Sequence, residues 1–172
     1  LENYASRKFD KIVTATPFIK ERFLKVKANA IDINNFPLLD EFKESAFDWG
    51  EKKNQVCYIG AMTKVRGIVE IINSVTKIDT KLVLAGKYQP ETLRDELVNM
   101  EAWLQSKVEE KGFVGREEVN TILKQSKVGL VTLHPIINYL DSLPIKMFEY
   151  MAAGIPFVAS NFPYWEEIVK ES

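Results

Sequence analysis

Gln55-Val-Cys-Tyr-Ile-Gly60, then apolar side chains at Val65, Ile68, Ile71, Ile72 and Val75, then Lys81-Leu-Val-Leu-Ala-Gly86: this stretch decides the fold. Its two outer runs are short, almost wholly apolar and closed by glycine, which predicts strands. Between them the apolar positions recur at helical spacing and predict a helix with one buried face. A strand, a helix and a strand in succession give a parallel pair, because the chain must cross back before the second strand begins. Apolar runs without alternation mean that both faces of the sheet are covered.

The same rhythm continues toward the C-terminus. Glu91–Glu110 reads as a long, charged, partly amphipathic segment, Gly112–Gly115 as a very short strand, and Val119, Ile122 and Leu123 as one face of a helix. Val128–Leu133 reads as a strand, about Pro144 to Ala153 as a helix, Phe157–Ser160 as a strand and Tyr164–Lys170 as the start of a helix. Toward the N-terminus, Lys11–Ala15 and Ala30–Ile33 read as strands around a helix over Pro17–Lys25, with Thr16 placed to cap it and Pro17 in its first turn. Asn34-Asn35-Phe36-Pro37 reads as a turn or crossover. The expected fold class is α/β, a Rossmann-like doubly wound parallel sheet from about Asn54 onward. Such sheets bind ligands beyond the carboxyl ends of their strands, which singles out the loops after Gly60, Gly86, Gly115 and Leu133. Residues 1–45 do not share the rhythm and read as the tail of a preceding domain plus a connector. Residues 46–172 read as the ligand-binding domain, cut short at its C-terminus, and Leu1 in place of Met reads as an excised start.

Composition narrows the function. The chain has 172 residues, 46% of them hydrophobic, enough to bury a core. Its 23 basic and 24 acidic side chains leave a net charge of −1, so no broad basic field draws in nucleic acid. No apolar run approaches the roughly 18–20 residues of a membrane span. Cys57 is the only cysteine, which rules out an internal disulfide and a cysteine-rich metal site; in its apolar run it reads as a small buried hydrophobe. With His134 as the only histidine, a metal site would have to be built from carboxylates, and none is expected. His134 follows a strand end, in the loop that also holds Asn138, and its plainest reading is an exposed or structural histidine; Trp49, Trp103 and Trp165 read as core or surface aromatics.

The densest chemistry lies in Asp141-Ser-Leu-Pro-Ile-Lys-Met-Phe-Glu149, followed by Tyr150-Met-Ala-Ala-Gly154-Ile-Pro156. On a helix starting near Pro144, Ser142 falls at the N-cap, and the backbone N–H groups of Ser142, Leu143 and Ile145 form an anion site suited to a pyrophosphate. Glu149 sits about one and a half turns into that helix, where a carboxylate can accept both hydroxyls of a ribose. Met147, Phe148, Met151 and Ala152 surround it, and a carboxylate in so apolar a helix needs a partner; the alternative is an ordinary solvated carboxylate. The loop after the Gln55–Gly60 strand holds the cation Arg66. Lys64 is a further cation nearby, or simply an exposed lysine.

The segment from Asp141 to Pro156 resembles the signature of the retaining, GT-B-fold glycosyltransferases called group 1 or family 4. Their pattern places two glutamates eight positions apart, the second inside a Glu-Ala-Met-Ala-x-Gly-x-Pro-like run. Glu149-Tyr-Met-Ala-Ala-Gly154-Ile-Pro156 matches that run, while the first acid is Asp141, shorter by one methylene. Gly60-Ala-Met-Thr-Lys64-Val-Arg66-Gly67 is similar to the family's diphosphate loop, with Ala61 at the arginine position and Arg66 at the lysine position. Leu82–Gly86, Gly112–Gly115, Glu117–Ser126 with Val128–Val131, and Asn35-Phe-Pro37 follow the family's order. The resemblance implies a donor-binding domain for a nucleotide-diphosphate sugar, with Arg66, Lys64 and Gly60 at the diphosphate, Glu149 on the ribose, Gly115 along the base and Asp141 on the sugar. It implies a hexosyl-type transfer with retention, no metal or other cofactor, and a saccharide or lipid-linked acceptor held by an N-terminal domain outside this chain. The setting it implies is the cytoplasm, at the inner membrane face where the acceptor is lipid-linked. The chain alone is then expected to bind donor weakly and transfer nothing.

Other readings stay beside it. Ala61 and Asp141 also fit a non-catalytic domain with a decayed site that binds a nucleotide or a partner. A nucleotide-sugar epimerase is disfavoured by the single histidine. A Rossmann dehydrogenase is set aside because no Gly-x-Gly-x-x-Gly follows the first strand.

Overall fold

A computed structural model describes residues 2–42 and 49–170. In chain order they form α1 (Glu2–Ser6), β1 (Ile12–Thr14), α2 (Pro17–Lys25), β2 (Ala30–Asp32), β3 (Gln55–Ile59), α3 (Ile68–Val75), β4 (Lys81–Ala85), α4 (Leu93–Leu97) and α5 (Glu101–Leu104). There follow β5 (Val108–Gly112), α6 (Arg116–Gln125), β6 (Val128–Val131), α7 (Ile137–Leu140), α8 (Ile145–Ala152), β7 (Phe157–Ala159) and α9 (Pro163–Lys170). Over the described residues the chain divides into two compact units, one of residues 2–36, 135–145 and 161–170, the other of residues 37–134 and 146–160. Among the described residues no helix is long and apolar enough to cross a membrane.

In the first unit β1 and β2 pair in parallel around α2. Thr16 caps α2 as its sequence predicts: its hydroxyl accepts the Ile19 N–H at 3.3 Å, and Pro17 takes the first helical position, where a missing N–H costs nothing. Trp165 is buried here, and its Nε1 donates to the Ser142 carbonyl at 2.7 Å.

The second unit is built on a five-stranded parallel sheet in the order β5-β4-β3-β6-β7, flanked by helices, as the sequence leads one to expect. Its centre, β3, buries Cys57 and Tyr58 completely, and β4 buries Leu82 through Ala85. Burial pushes the Cys57 thiol up to about 12, so it packs as an inert hydrophobe. The stripe of α3 is the predicted one, with Ile68, Ile71, Ile72 and Val75 all buried. Val65 is not part of it. Lys64–Arg66 is a separate 3₁₀ turn, ended by Gly67 in the left-handed region at φ 74°, and Val65 is exposed.

The region after β4 departs from its reading. Glu91–Glu110 holds two short helices and most of β5, and the strand expected at Gly112–Gly115 lies at Val108–Gly112. Its Glu109-Glu-Lys111 run looks unlike a strand because β5 is an edge, where charges are tolerated and guard the open side. Those charges are paired: Glu109 with Lys111 at 2.8 Å and Glu110 with Arg94 at 2.7 Å.

Candidate functional site

From β3 the second unit's chain moves outward through β4 to β5, then returns on the other side of β3 as β6. The carboxyl ends of β3 and β6 therefore border a switch point, where open parallel sheets form their binding crevice. Gly60 follows β3 directly. Its N–H donates to the Ala85 carbonyl at 2.8 Å, and its own carbonyl lies where a Cβ on Gly86 would stand. Gly60 and Gly86 have φ of 130° and 145°, open only to glycine, so two bare backbones cross here and make a floor without side chains.

The turn after Gly60 is tied to the strand end across from it. Thr132 Oγ1 donates to the Arg66 carbonyl at 3.3 Å, and the His134 N–H donates to the Val65 carbonyl at 2.9 Å. A Cβ on Gly67 would collide with the Thr132 carbonyl. The backbone of Arg66 is thus fixed at the switch point from both sides.

Two cations reach the floor. The point where a side chain at Gly60 would begin is 3.9 Å from Arg66 Nη1 and 3.5 Å from Lys146 Nζ. Lys146 was not among the residues singled out from sequence. Its Nζ is sealed from solvent, has no hydrogen-bond partner and lies 3.7 Å from the centre of the Tyr58 ring. Burial, reinforced by the Arg66 charge, pushes the Lys146 ammonium down to about 7; Glu149 and Cys57 oppose this. Lys64 is placed elsewhere, in a solvent-exposed pair with Glu96 at 2.5 Å.

Glu149 has the partner its apolar helix demands. The Arg116 Nη1 donates to its Oε1 at 2.7 Å, and only 13% of the Glu149 side chain is exposed. Arg116, also unforeseen, reaches Glu41 through Nε at 3.1 Å, and its guanidinium lies over the Phe42 ring. Gly115 serves as the extended residue before α6, its carbonyl accepting the Val119 N–H at 3.0 Å. Beside the glycine floor opens a largely apolar cavity of about 230 Å³, lined by Ile59, Gly60, Ala61, Gly86, Phe113 and Val114. Lys87 Nζ stands 5.0 Å from the centre of the exposed Phe113 ring.

Asp141, Ser142 and Leu143 belong to the first unit, where they line a cavity of about 660 Å³ together with Thr16, Arg22 and Asn138. Ser142 is not the N-cap expected of it. α8 starts at Ile145, so the cap position falls on Pro144. The Ser142 hydroxyl instead donates to the Tyr139 carbonyl at 2.8 Å, closing the short helix α7, whose last carbonyls need donors. In the second unit, His134 pairs at the surface with Glu70, Nε2 to Oε1 at 3.0 Å.

The structure thus brings Gly60 and Arg66 together with Lys146, and Glu149 together with Arg116. Arg116 leaves a trace in the sequence, as a cation opening the helix after Gly115. Lys146 leaves one too, as the lone charge in the apolar first turn of α8.

Three solved structures share this fold. AviGT4, a glycosyltransferase involved in avilamycin A biosynthesis, is 20% identical with a TM-score of 0.69, over 92% of this chain and 46% of that one. Sucrose-phosphate synthase from Thermosynechococcus elongatus is 20% identical with a TM-score of 0.70, over 92% of this chain and 42% of that one. Anabaena Alr3699/HepE, solved with UDP and glucose, is 12% identical with a TM-score of 0.74, over 96% of this chain and 48% of that one. The chain therefore spans about half the length of the proteins it resembles, and the likeness is one of GT-B, Rossmann-like fold. No curated protein sequence matches it. Residues 40–172 match the family of glycosyl transferases group 1, a match that takes in the entire five-stranded sheet and the Asp141–Pro156 segment, and the chain belongs to that family.

Proposed function

We propose that this chain is the donor-binding part of a retaining glycosyltransferase, of the family 4 type, that uses a nucleotide-diphosphate sugar. The observation that carries the reading is Arg66, anchored by Thr132 and Gly67 and aimed over the side-chain-free floor at Gly60. A diphosphate needs such a place: fixed cationic donors, close backbone approach and no side chain in the way. The adjoining cavity, with Phe113 at its rim, suits the base. Glu149 takes the ribose hydroxyls, with Arg116 holding the carboxylate oriented until they arrive. Asp141 keeps a role at the sugar on its motif position alone.

In the reaction the bond from the anomeric carbon to the diphosphate oxygen breaks. An acceptor hydroxyl passes its proton to the departing diphosphate oxygen and bonds to that carbon on the same face, and the nucleoside diphosphate leaves. Arg66 stabilises the negative charge that develops on the departing oxygen, so this reading asks for no metal. The transferred group is a hexose in this reading. The acceptor, a saccharide or a lipid-linked saccharide, is held by residues outside the chain.

Calorimetric titration with UDP, GDP and ADP tests the reading. One of the three is expected to bind, and Glu149→Ala is expected to weaken it about 10- to 100-fold, the worth of one or two hydrogen bonds to a charged group. If the full-length protein that contains this chain binds none of them, the reading falls. Ala61, which has no charge, favours a second reading in which the site binds but no longer transfers. Ala61→Arg combined with Asp141→Glu separates the two, since a large gain in transfer marks a decayed site.

A further inference from the structure

We propose that Lys146 is the second diphosphate cation of this site, reaching from α8 to the position that Ala61 leaves without charge. The inference rests on the donor-site reading above and adds to it a residue and a consequence.

Lys146 Nζ is sealed from solvent and has no hydrogen-bond acceptor, although an ammonium carries three N–H donors. Buried polar groups are normally paired, and an unpaired one is costly enough to call for an explanation. Protein neighbours do not supply one. Below the ammonium lies the Tyr58 ring, whose face attracts a cation but accepts no strong hydrogen bond. Arg66, from the turn after β3, adds a like charge; Glu149, one turn further along α8, offsets part of it, and Cys57 from β3 stays a neutral thiol. Lys146 and Arg66 converge within 4 Å of one point above Gly60, at 3.5 and 3.9 Å. Two cations held that close repel each other, and a diphosphate has the charge and the reach to bridge both. The geometry is that of a site prepared for its ligand. The Tyr58 hydroxyl donates to the Ala61 carbonyl at 2.8 Å and so fixes the loop beside it.

A consequence follows for protons. With its ammonium pushed down to about 7, Lys146 is mostly neutral above that pH in the free site. A bound diphosphate favours the charged form, so binding draws a proton from solvent. Terminal phosphates complete their ionisation near pH 6, and the window from pH 7 to 9 therefore isolates the lysine. Affinity is expected to fall about tenfold per pH unit across that window.

The test is calorimetry on the full-length protein that contains this chain, with UDP, GDP and ADP, in buffers of different ionisation enthalpy at pH 6.5 and 8.5. Uptake close to one proton per diphosphate is expected at pH 8.5 and much less at pH 6.5. Lys146→Met is expected to abolish the uptake and weaken binding at least tenfold at pH 6.5. Lys146→Arg keeps a charge that does not titrate, and is expected to bind without uptake. Adding Ala61→Arg to Lys146→Met is expected to recover part of the affinity from the other side of Gly60. If Arg66→Ala weakens binding but Lys146→Met changes neither affinity nor uptake, this proposal fails and the donor reading stands. If neither variant matters, or no diphosphate binds, both fail.

Discussion

Lys146→Met raises the melting temperature of the unliganded protein at pH 7. The expected gain is about 3 kcal/mol, in the range found when buried charges give way to apolar side chains. For a domain of this size that is about 6–12 °C. Methionine keeps an unbranched apolar stem and removes the ammonium. The sign follows from the shift. Folding lowers the lysine from its ordinary value of 10.5 to about 7, so between those values the unfolded chain holds the proton and the folded chain does not. Wild-type stability then rises with pH across this window, and the full penalty applies below it. The advantage of the methionine variant is accordingly largest at pH 6 and shrinks toward pH 10. Scanning calorimetry of both proteins over that range reads the effect directly. A variant that melts lower than wild type at every pH would mean that the ammonium is satisfied in the free protein. A gain in stability with a loss of diphosphate binding is the usual mark of a residue kept for its task and not for the fold.

Gly67→Val is expected to have the opposite effect, costing about 2–6 kcal/mol. Two terms combine. A β-branched residue at φ 74° is strained by about 1–3 kcal/mol, and its Cβ would collide with the Thr132 carbonyl, which overpacking costs put at about 1–3 kcal/mol more. The chain can escape only by pulling the Lys64–Arg66 turn away from the end of β6, which moves Arg66 off Gly60. Nucleotide affinity should therefore be lost at temperatures where the variant is still folded. Urea unfolding, followed by titration well below the transition, checks both halves. Native-like stability would show that the turn is not held against Thr132.

How much of this could be read in advance depended on where each residue's constraint comes from. The central strands were legible because burial on both faces leaves no choice but apolar runs, and α3 because its stripe sits on one face. β5 was misplaced because an edge strand is free to carry Glu109, Glu110 and Lys111, which in sequence continue the long charged segment before them. The four-residue α7 is too short to show periodicity, and missing it turned Ser142 into a cap for the wrong helix. At the site, Glu149 stood out as a carboxylate in an apolar helix, and Arg66 through the resemblance of its loop to the family's diphosphate loop. Lys146 and Arg116 did not. A lysine in a helix normally extends to water, and only the buried position of its Nζ over the Tyr58 ring shows that this one does not. Arg116 gains its meaning from Glu149, a partner distant in sequence.

The burial of Cys57 makes a practical handle of what looks like a passive core position. Its thiol is fully covered and stays protonated through the neutral range, so it will not react with maleimides or iodoacetamides while the protein is folded. The native chain therefore has a silent background for chemical labelling. A single cysteine substituted at the exposed Phe113, on the rim of the 230 Å³ cavity, becomes the sole point of attachment for a fluorophore. Emission from that one dye reports occupancy of the cavity in real time, without any need to remove the natural thiol first.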